Sequence, residues 1–136
     1  MLSQAGERVT ANEWRNVTLI ESAIEDAAIP EVADAAVFVL THDVMRSSEA
    51  LSNALAHVRP GGRIAAAGGK RAPAWMLPAN LYLGYAMRRY TTTMDGFDRP
   101  WRMLEALVPD LQVELLMLGD AYVAWGTIVS PLWARS

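Results

Sequence analysis

Six consecutive apolar residues at positions 35–40, with the sequence AAVFVL, constrain the fold of this chain most strongly. The run lacks the alternation of apolar and polar residues that marks a strand with one wet face. An unbroken run of this length indicates a strand covered on both faces, as the strands of parallel sheets are. The sequence therefore predicts a layered α/β fold built on a parallel sheet.

A helix and a second strand follow this run. Ser47 or Ser48 can cap the helix, and Glu49 lies in its first turn, where the helix dipole favours an acid. Pro60 and two glycines end the helix, and residues 63–69, RIAAAGG, form the next strand. The helix carries one apolar stripe, formed by Leu51, Ala54, Leu55 and Val58. The order strand, helix, strand is typical of parallel strands joined by a right-handed crossover.

Other elements are predicted toward both ends of the chain. Apolar residues at helical spacing predict a helix over residues 2–12, and alternation predicts a short strand over residues 17–21. Residues 101–108 form a helix that Asp98 caps. Residues 111–130 form two strands joined at Gly119-Asp120 in a type II′ turn. The sheet therefore ends in an antiparallel β-hairpin.

The composition excludes several classes of protein. The 136 residues suit one domain, and 52% hydrophobic with 20% charged residues is typical of a folded globular chain. A net charge of -3 provides no basic field for nucleic acid. With no cysteine and two histidines, we expect no disulfide and no metal site, and we predict a cytoplasmic location. We expect no membrane span, because the most apolar stretch, residues 72–87, is shorter than the roughly 20 residues required.

Four stretches, in the right order, resemble one family, the class I S-adenosylmethionine-dependent methyltransferases. Residues 15–30, RNVTLIESAIEDAAIP, resemble the third strand and the loop beside the adenine. Residues 33–45, ADAAVFVLTHDVM, resemble the fourth strand and the segment after it. Residues 51–68, LSNALAHVRPGGRIAAAG, resemble the helix, turn and fifth strand, and the terminal hairpin resembles the sixth and seventh strands.

The resemblance implies a Rossmann-like sheet with the strand order 3-2-1-4-5-7-6 and S-adenosylmethionine as cofactor. It covers the C-terminal portion of the family's domain, so we expect residues 1–136 to form a single partial domain, truncated at the N-terminus. In the family, the first strand ends in a glycine-rich cofactor loop, and the second ends in an acid that binds the ribose hydroxyls. The resemblance finds no counterpart of either in this sequence.

The resemblance assigns four residues to the cofactor. Ala23 stands where the family often has an aspartate that reaches the adenine amino group, and Ile24 then supplies only a backbone N–H. A register shift of one or two residues would bring in one of the two acids that follow. Leu40 and Thr41 lie at the end of the buried strand, where ligands of open α/β sheets collect.

His42 lies at the same strand end, in a segment that the family places near the transferring methyl group. Its imidazole can act as the base that takes a proton from a substrate hydroxyl or amine. The alternative is structural, with Thr41 and Asp43 capping the next helix and His42 filling the turn.

Residues 72–96 are interpreted as an inserted lid or interface helix, because the segment is apolar nearly all round. In the family, an insertion at this place often covers the substrate. The candidates for an apolar substrate pocket and for contact with an anionic group of the substrate are Trp75, Tyr82, Tyr85, Arg88 and Arg89. Alternatively, this helix belongs to the core or to a dimer face, with its arginines solvated.

A sheet without its first two strands would leave one edge of the strand at residues 35–40 unpaired. Each unpaired buried backbone group costs about 1–3 kcal/mol. Either residues 17–21 move beside that edge, or two chains pair or swap elements. We therefore predict a homodimer or a higher oligomer.

Three functions remain open at this point. The first is an S-adenosylmethionine-dependent methyltransferase that acts on a small molecule and is impaired or inactive as this truncated chain. The second is a non-catalytic oligomeric remnant of such an enzyme. The third is a small protein that binds an apolar ligand.

Overall fold

The computed structural model describes residues 2–71, 73–88 and 96–129, which contain four strands, five α-helices and one 3₁₀ helix. The strands are β1 (Ala33–Val39), β2 (Val58–Gly69), β3 (Gln112–Leu116) and β4 (Ala121–Thr127). The α-helices are α1 (Leu2–Ala11), α2 (His42–Arg46), α3 (Ser48–Ala56), α4 (Leu77–Met87) and α5 (Arg102–Leu107), and the 3₁₀ helix spans Met117–Gly119. The helices predicted at residues 2–12, after Ser47 or Ser48, and at residues 101–108 are thus confirmed as α1, α3 and α5. α4 lies within the predicted segment 72–96, of which residues 72 and 89–95 lie outside the described part of the chain, and its role as a lid or interface stays a prediction.

The four strands form one mixed sheet in the order β1-β2-β4-β3. β1 and β2 are parallel, as their apolar runs predict. β4 pairs antiparallel with β2 on one side and with β3 on the other. This order agrees with the 4-5-7-6 part of the sheet that the family resemblance implies.

The sequence predicted that the Pro-Gly-Gly turn at residues 60–62 precedes the second strand. In the structure these residues lie inside β2. Ala33 of β1 pairs with Val58, whereas Ala35 pairs with Arg63. Residues 59–62 of β2 therefore form a bulge. Gly61 has a φ of 77°. A Cβ on Gly62 would lie 2.5 Å from the Val58 side chain and 2.8 Å from the Arg59 carbonyl oxygen. Both glycines are therefore required by the backbone geometry.

One face of the sheet carries the hydrophobic core. Its buried strand residues, which cluster with side chains of α2, α3 and α5, are Phe38, Val58, Ile64, Ala66, Tyr122 and Ala124. The apolar stripe predicted on α3 is confirmed for Leu51, Ala54 and Leu55, which are buried. Val58 is also buried, but it is the first residue of β2 and not part of the helix. Ser47 caps this helix, and its Oγ accepts a hydrogen bond of 3.1 Å from the Ala50 N–H.

The opposite face of the sheet, which we call the open face, is much less covered. Val37 and Val39 of β1 are 68% and 58% exposed. The strand register also places on this face the half-buried residues Ala65, Ala67, Val123 and Trp125. The prediction that the first apolar strand is covered on both faces is therefore wrong for the described part of the chain.

The strand predicted at residues 17–21 is also wrong. The segment is irregular, and Val17, Leu19 and Ile20 are 40%, 44% and 39% exposed. It lies beside α1, where a Cβ on Gly6 would be 3.9 Å from the Leu19 side chain. An alternating segment becomes a strand only where a neighbouring strand takes up its hydrogen bonds. This segment has no such neighbour among the described strands, so it does not cover the edge of β1.

Two local predictions fail in the second half of the chain. Asp98 does not cap α5, whose N-cap residue is Trp101 with no side-chain hydrogen bond. β3 and β4 pair antiparallel, but Leu116 is paired with Ala121, so their connection has four residues and is not the predicted two-residue turn.

β1 is an edge strand of the described sheet, so half of its backbone polar groups face outward. The Leu40 N–H donates to the Ala67 carbonyl at 2.9 Å, which places the backbone groups of alternate residues toward β2. Those of Val37 and Val39 therefore point to the open edge. We propose that a second copy of the chain pairs its β1 antiparallel with this edge, because such a pair is two-fold symmetric and satisfies the outward groups of both copies.

A lysine at position 37 tests this pairing. Val37 is already 68% exposed, so Val37→Lys should cost little stability while its charge opposes strand addition at the edge. Light scattering at micromolar concentration should show a dimer for the unmodified chain and a monomer for the variant. Val129→Lys, at a valine that is 64% exposed and lies off β1, is the matched control and should remain dimeric. A monomeric unmodified chain contradicts the pairing.

The Asp110 carboxylate joins the segment before β3 to the end of β4. Its Oδ1 accepts a hydrogen bond of 2.9 Å from the Thr127 N–H, and this bond lowers the pKa of the carboxyl group below its usual value of 3.8. A carboxyl group with a lowered pKa in the folded state stabilises the fold at pH values above the unfolded pKa. That contribution is lost as the pH falls through the folded pKa.

Asp110→Asn keeps an acceptor for the Thr127 N–H but does not titrate. We expect this variant to be less stable than the unmodified chain in urea unfolding at neutral pH, with a difference that shrinks as the pH falls below 3.8. Glu114→Gln removes one carboxylate from the neighbouring strand and controls for the change in net charge. A stability difference that is the same at neutral and acid pH would show that the Asp110 carboxylate does not make this contribution.

Candidate functional site

The C-terminal ends of β1 and β2 lie side by side, because the two strands are parallel neighbours. Residues 40–43 leave the end of β1, and Lys70 and Arg71 leave the end of β2. Ligands of open α/β sheets bind at this edge of the sheet. The described residues that gather here therefore form the candidate site.

His42 begins α2 just beyond the end of β1. Its ring stacks on Phe97, with ring centroids 3.8 Å apart and 28° between the ring planes, and Phe97 is 2% exposed. The Arg46 side chain lies 3.5 Å from the place that a Cβ on Gly96 would take. The segment 96–98 is thus packed against α2, and His42 has a packing role. Its role as a base stays a prediction.

Two backbone hydrogen bonds fix the residues that follow β2. The Lys70 N–H donates to the Asp120 carbonyl at 2.8 Å, and the Arg71 N–H donates to the Phe97 carbonyl at 2.9 Å. The first bond ties the strand end to the β3–β4 connection, and the second ties it to the segment that packs on His42. Both cationic side chains therefore start from fixed backbone positions.

A cavity of about 440 Å³ lies between this end of β2 and the first turns of α4. Its lining includes the cationic residues Lys70 and Arg71, the acidic residue Asp98, and Leu77 and Asn80 of α4. The volume is in the range of small-molecule sites. Sequence reasoning did not single out this set, because its members come together only in the fold. Two cations directly after a predicted parallel strand were the signal that could have indicated it.

Leu40 and Thr41 form the turn between β1 and α2. Leu40 has a φ of 55°, unusual for a residue with a side chain, and is 71% exposed. Thr41 is the N-cap residue of α2 but makes no side-chain cap bond. Its Oγ1 is buried and has no hydrogen-bond partner among the described residues. The assignment of both residues to a cofactor stays a prediction.

The loop that carries Ala23 and Ile24 is held against α3. Asn53 Nδ2 donates to the Ile24 carbonyl at 2.7 Å and to the Ala27 carbonyl at 3.1 Å. The Ile24 side chain packs on the core, whereas Ala23 is exposed. Ile24 is therefore committed to the fold through both its side chain and its carbonyl, and the cofactor contacts assigned to this loop stay predictions.

The residues assigned to the substrate lie mainly on the surface of α4 and its approach. Trp75, Tyr82 and Tyr85 are 75%, 74% and 77% exposed. Arg88 follows α4 and is exposed, and Arg89 lies outside the described residues. The four described members of this set are not in the wall of the cavity. Their roles stay predictions.

Tyr122 is buried in the core, unlike the residues at the strand ends. Its ring lies 5.1 Å from that of Trp101, between centroids, and burial raises the pKa of the phenol to about 12. The phenol is therefore protonated at physiological pH and belongs to the core. Within the described ranges, no group of three or more His, Cys, Asp or Glu side chains is placed to hold a metal ion. No helix in the same ranges has the length and apolar character needed to cross a bilayer.

The fold is similar to that of a methyltransferase of known structure. The similar structure is that of the N-methyltransferase NodS from Bradyrhizobium japonicum WM9. The alignment covers 96% of this chain and 70% of the NodS chain, with a TM-score of 0.63. The two sequences are 12% identical, so the similarity shows a methyltransferase-like fold and not an activity. No family model matches the chain, and no curated protein matches its sequence significantly.

The two hydrogen bonds of Asn53 predict the effect of removing its amide. Asn53→Ala should destabilise the fold by about 1–3 kcal/mol, because two part-buried carbonyls lose their donor. Hydrogen exchange should also become faster in the peptide covering residues 22–28. Ser52→Ala, an exposed neighbour on the same helix, controls for the higher helix propensity of alanine. Equal stability of the two variants would show that Asn53 does not hold the loop.

Proposed function

We propose that this chain is a member of the S-adenosylmethionine-dependent methyltransferases that acts on a small molecule, and that its activity is impaired or absent. The observation that carries the proposal is a small-molecule-sized cavity at the C-terminal end of β2, in a sheet with a methyltransferase-like fold. A cytoplasmic location is part of the proposal and rests on the sequence alone.

In this proposal the two strand ends have separate tasks. Leu40 and Thr41 hold the cofactor by apolar contact and through the Thr41 hydroxyl, with Ala23 and Ile24 beside it. S-adenosylmethionine supplies the methyl group when it is bound. The cavity orients the acceptor, since positioning the reactants accounts for most of the barrier lowering in such a transfer. His42 takes the proton that the acceptor loses.

The proposed impairment follows from how the loop at residues 22–28 is held. The Ile24 side chain and carbonyl are committed to the core and to Asn53. The Glu25 carboxylate, one of the acids that a shifted register would bring to the adenine, accepts a hydrogen bond of 3.2 Å from Ser47 Oγ. Cofactor binding through this loop would have to compete with these contacts, so we expect weak affinity.

Titration calorimetry with S-adenosylmethionine tests both parts of the proposal. We expect measurable heat at millimolar cofactor, with a dissociation constant weaker than about 100 μM, which corresponds to roughly -5.5 kcal/mol. Thr41→Val removes the buried hydroxyl group at nearly constant volume and should weaken binding further. Thr10→Val, on exposed α1 surface, is the matched control and should not.

Each of the two other outcomes of the titration contradicts one part of the proposal. Binding tighter than about 100 μM would contradict the impairment. No heat at millimolar cofactor would contradict the methyltransferase function and favour a non-catalytic remnant or a binder of apolar ligands.

A further inference from the structure

We propose that the cavity at the end of β2 binds the anionic group, a carboxylate or a phosphate, of a small organic molecule through Lys70 and Arg71. If this molecule is the substrate of a methyl transfer, the inference names the substrate class and rests on the proposed function. The binding itself needs no cofactor and can be measured separately.

The two cations have unused hydrogen-bonding capacity. Lys70 Nζ donates to the Arg71 carbonyl at 3.1 Å, which uses one of its three donors. Across residues 2–71, 73–88 and 96–129, the ion pairs within 4.0 Å are Arg59 with Asp34 and Arg99 with Glu105. Neither Lys70 nor Arg71 therefore has its charge compensated by a contacting carboxylate of the described residues. An anion in the cavity would supply that compensation, and the planar guanidinium favours bidentate contact with carboxylate or phosphate.

The rest of the lining limits the class of anion. Pro73 and Leu77 provide apolar wall, which favours an organic molecule over an inorganic ion. Asp98 adds one negative charge to a lining that also contains two positive ones, so these three residues together carry a charge of +1. This balance suits a ligand with a single anionic group. The Asp98 carboxylate would repel a second anionic group and accept a hydrogen bond from a hydroxyl or amine of the ligand.

Phenylacetate and phenyl phosphate are suitable probes, and phenylacetamide is the uncharged counterpart. Each is titrated into the ¹⁵N-labelled chain without cofactor while amide chemical shifts are followed. We expect both anions to shift the amides of Lys70, Arg71 and Leu77, and phenylacetamide to bind at least about tenfold more weakly, the difference typical of hydrogen bonds to charged groups. The relative affinity of the two anions distinguishes a carboxylate site from a phosphate site.

Three variants and one control test the residues. Lys70→Gln and Arg71→Gln each retain the backbone hydrogen bonds that fix the strand end and should weaken anion binding about tenfold. Asp98→Asn should strengthen it, because the repelling charge is removed. Arg63→Gln removes a cation at the opposite end of β2 and should leave binding unchanged.

The proposal is overturned if phenylacetamide binds as tightly as phenylacetate, if Arg63→Gln weakens binding as much as Lys70→Gln, or if no probe shifts the cavity amides. Anion binding without any binding of S-adenosylmethionine would sustain this inference and refute the proposed function. Cofactor binding without anion binding would overturn this inference and leave the proposed function standing.

Discussion

Hydrogen bonding of β2 along both of its edges is the constraint on which the rest of the structure depends. This strand pairs with β1 on one side and β4 on the other, and it carries small residues through most of its length. Small side chains on a central strand leave room for large neighbours. A Cβ on Gly68 would lie 3.2 Å from the Tyr122 ring, and Ala66 lies between Phe38 and Ala124 in the register. The core over the sheet is thus built from β2 residues such as Ile64 together with larger side chains from the neighbouring strands.

The same strand positions the candidate site. β2 continues directly into Lys70 and Arg71, whose backbone N–H groups are held by Asp120 and Phe97. Phe97 in turn stacks on His42 at the end of β1. A chain of contacts therefore joins the two parallel strand ends, the β3–β4 connection and the wall of the cavity. Ligands of open α/β sheets bind at this edge, so these contacts hold the backbone around the candidate site.

The sequence allowed the elements with a local signature to be predicted. The unbroken apolar run predicts β1, and Ser47 or Ser48 with the following stripe predicts α3, whose N-cap is Ser47. The strand prediction at residues 17–21 was wrong, because alternating apolar and polar residues look the same in a sequence whether or not a neighbouring strand is present. The lack of cover on Val37 and Val39 was equally invisible, since an apolar run does not show which of its faces is occupied. The cavity could not be predicted for a related reason, because Asp98 and the pair Lys70 and Arg71 come to line one cavity only through the tertiary fold.

The central claim of this account is that ligands bind where β1 and β2 end. The most direct measurement is the pattern of amide chemical-shift changes in the ¹⁵N-labelled chain as S-adenosylhomocysteine, the product form of the cofactor, is added. The account predicts changes at residues 40–43 and in the loop at residues 22–24, with β3 unaffected. Changes confined to the open face or to α1, or no change at millimolar ligand, would contradict it.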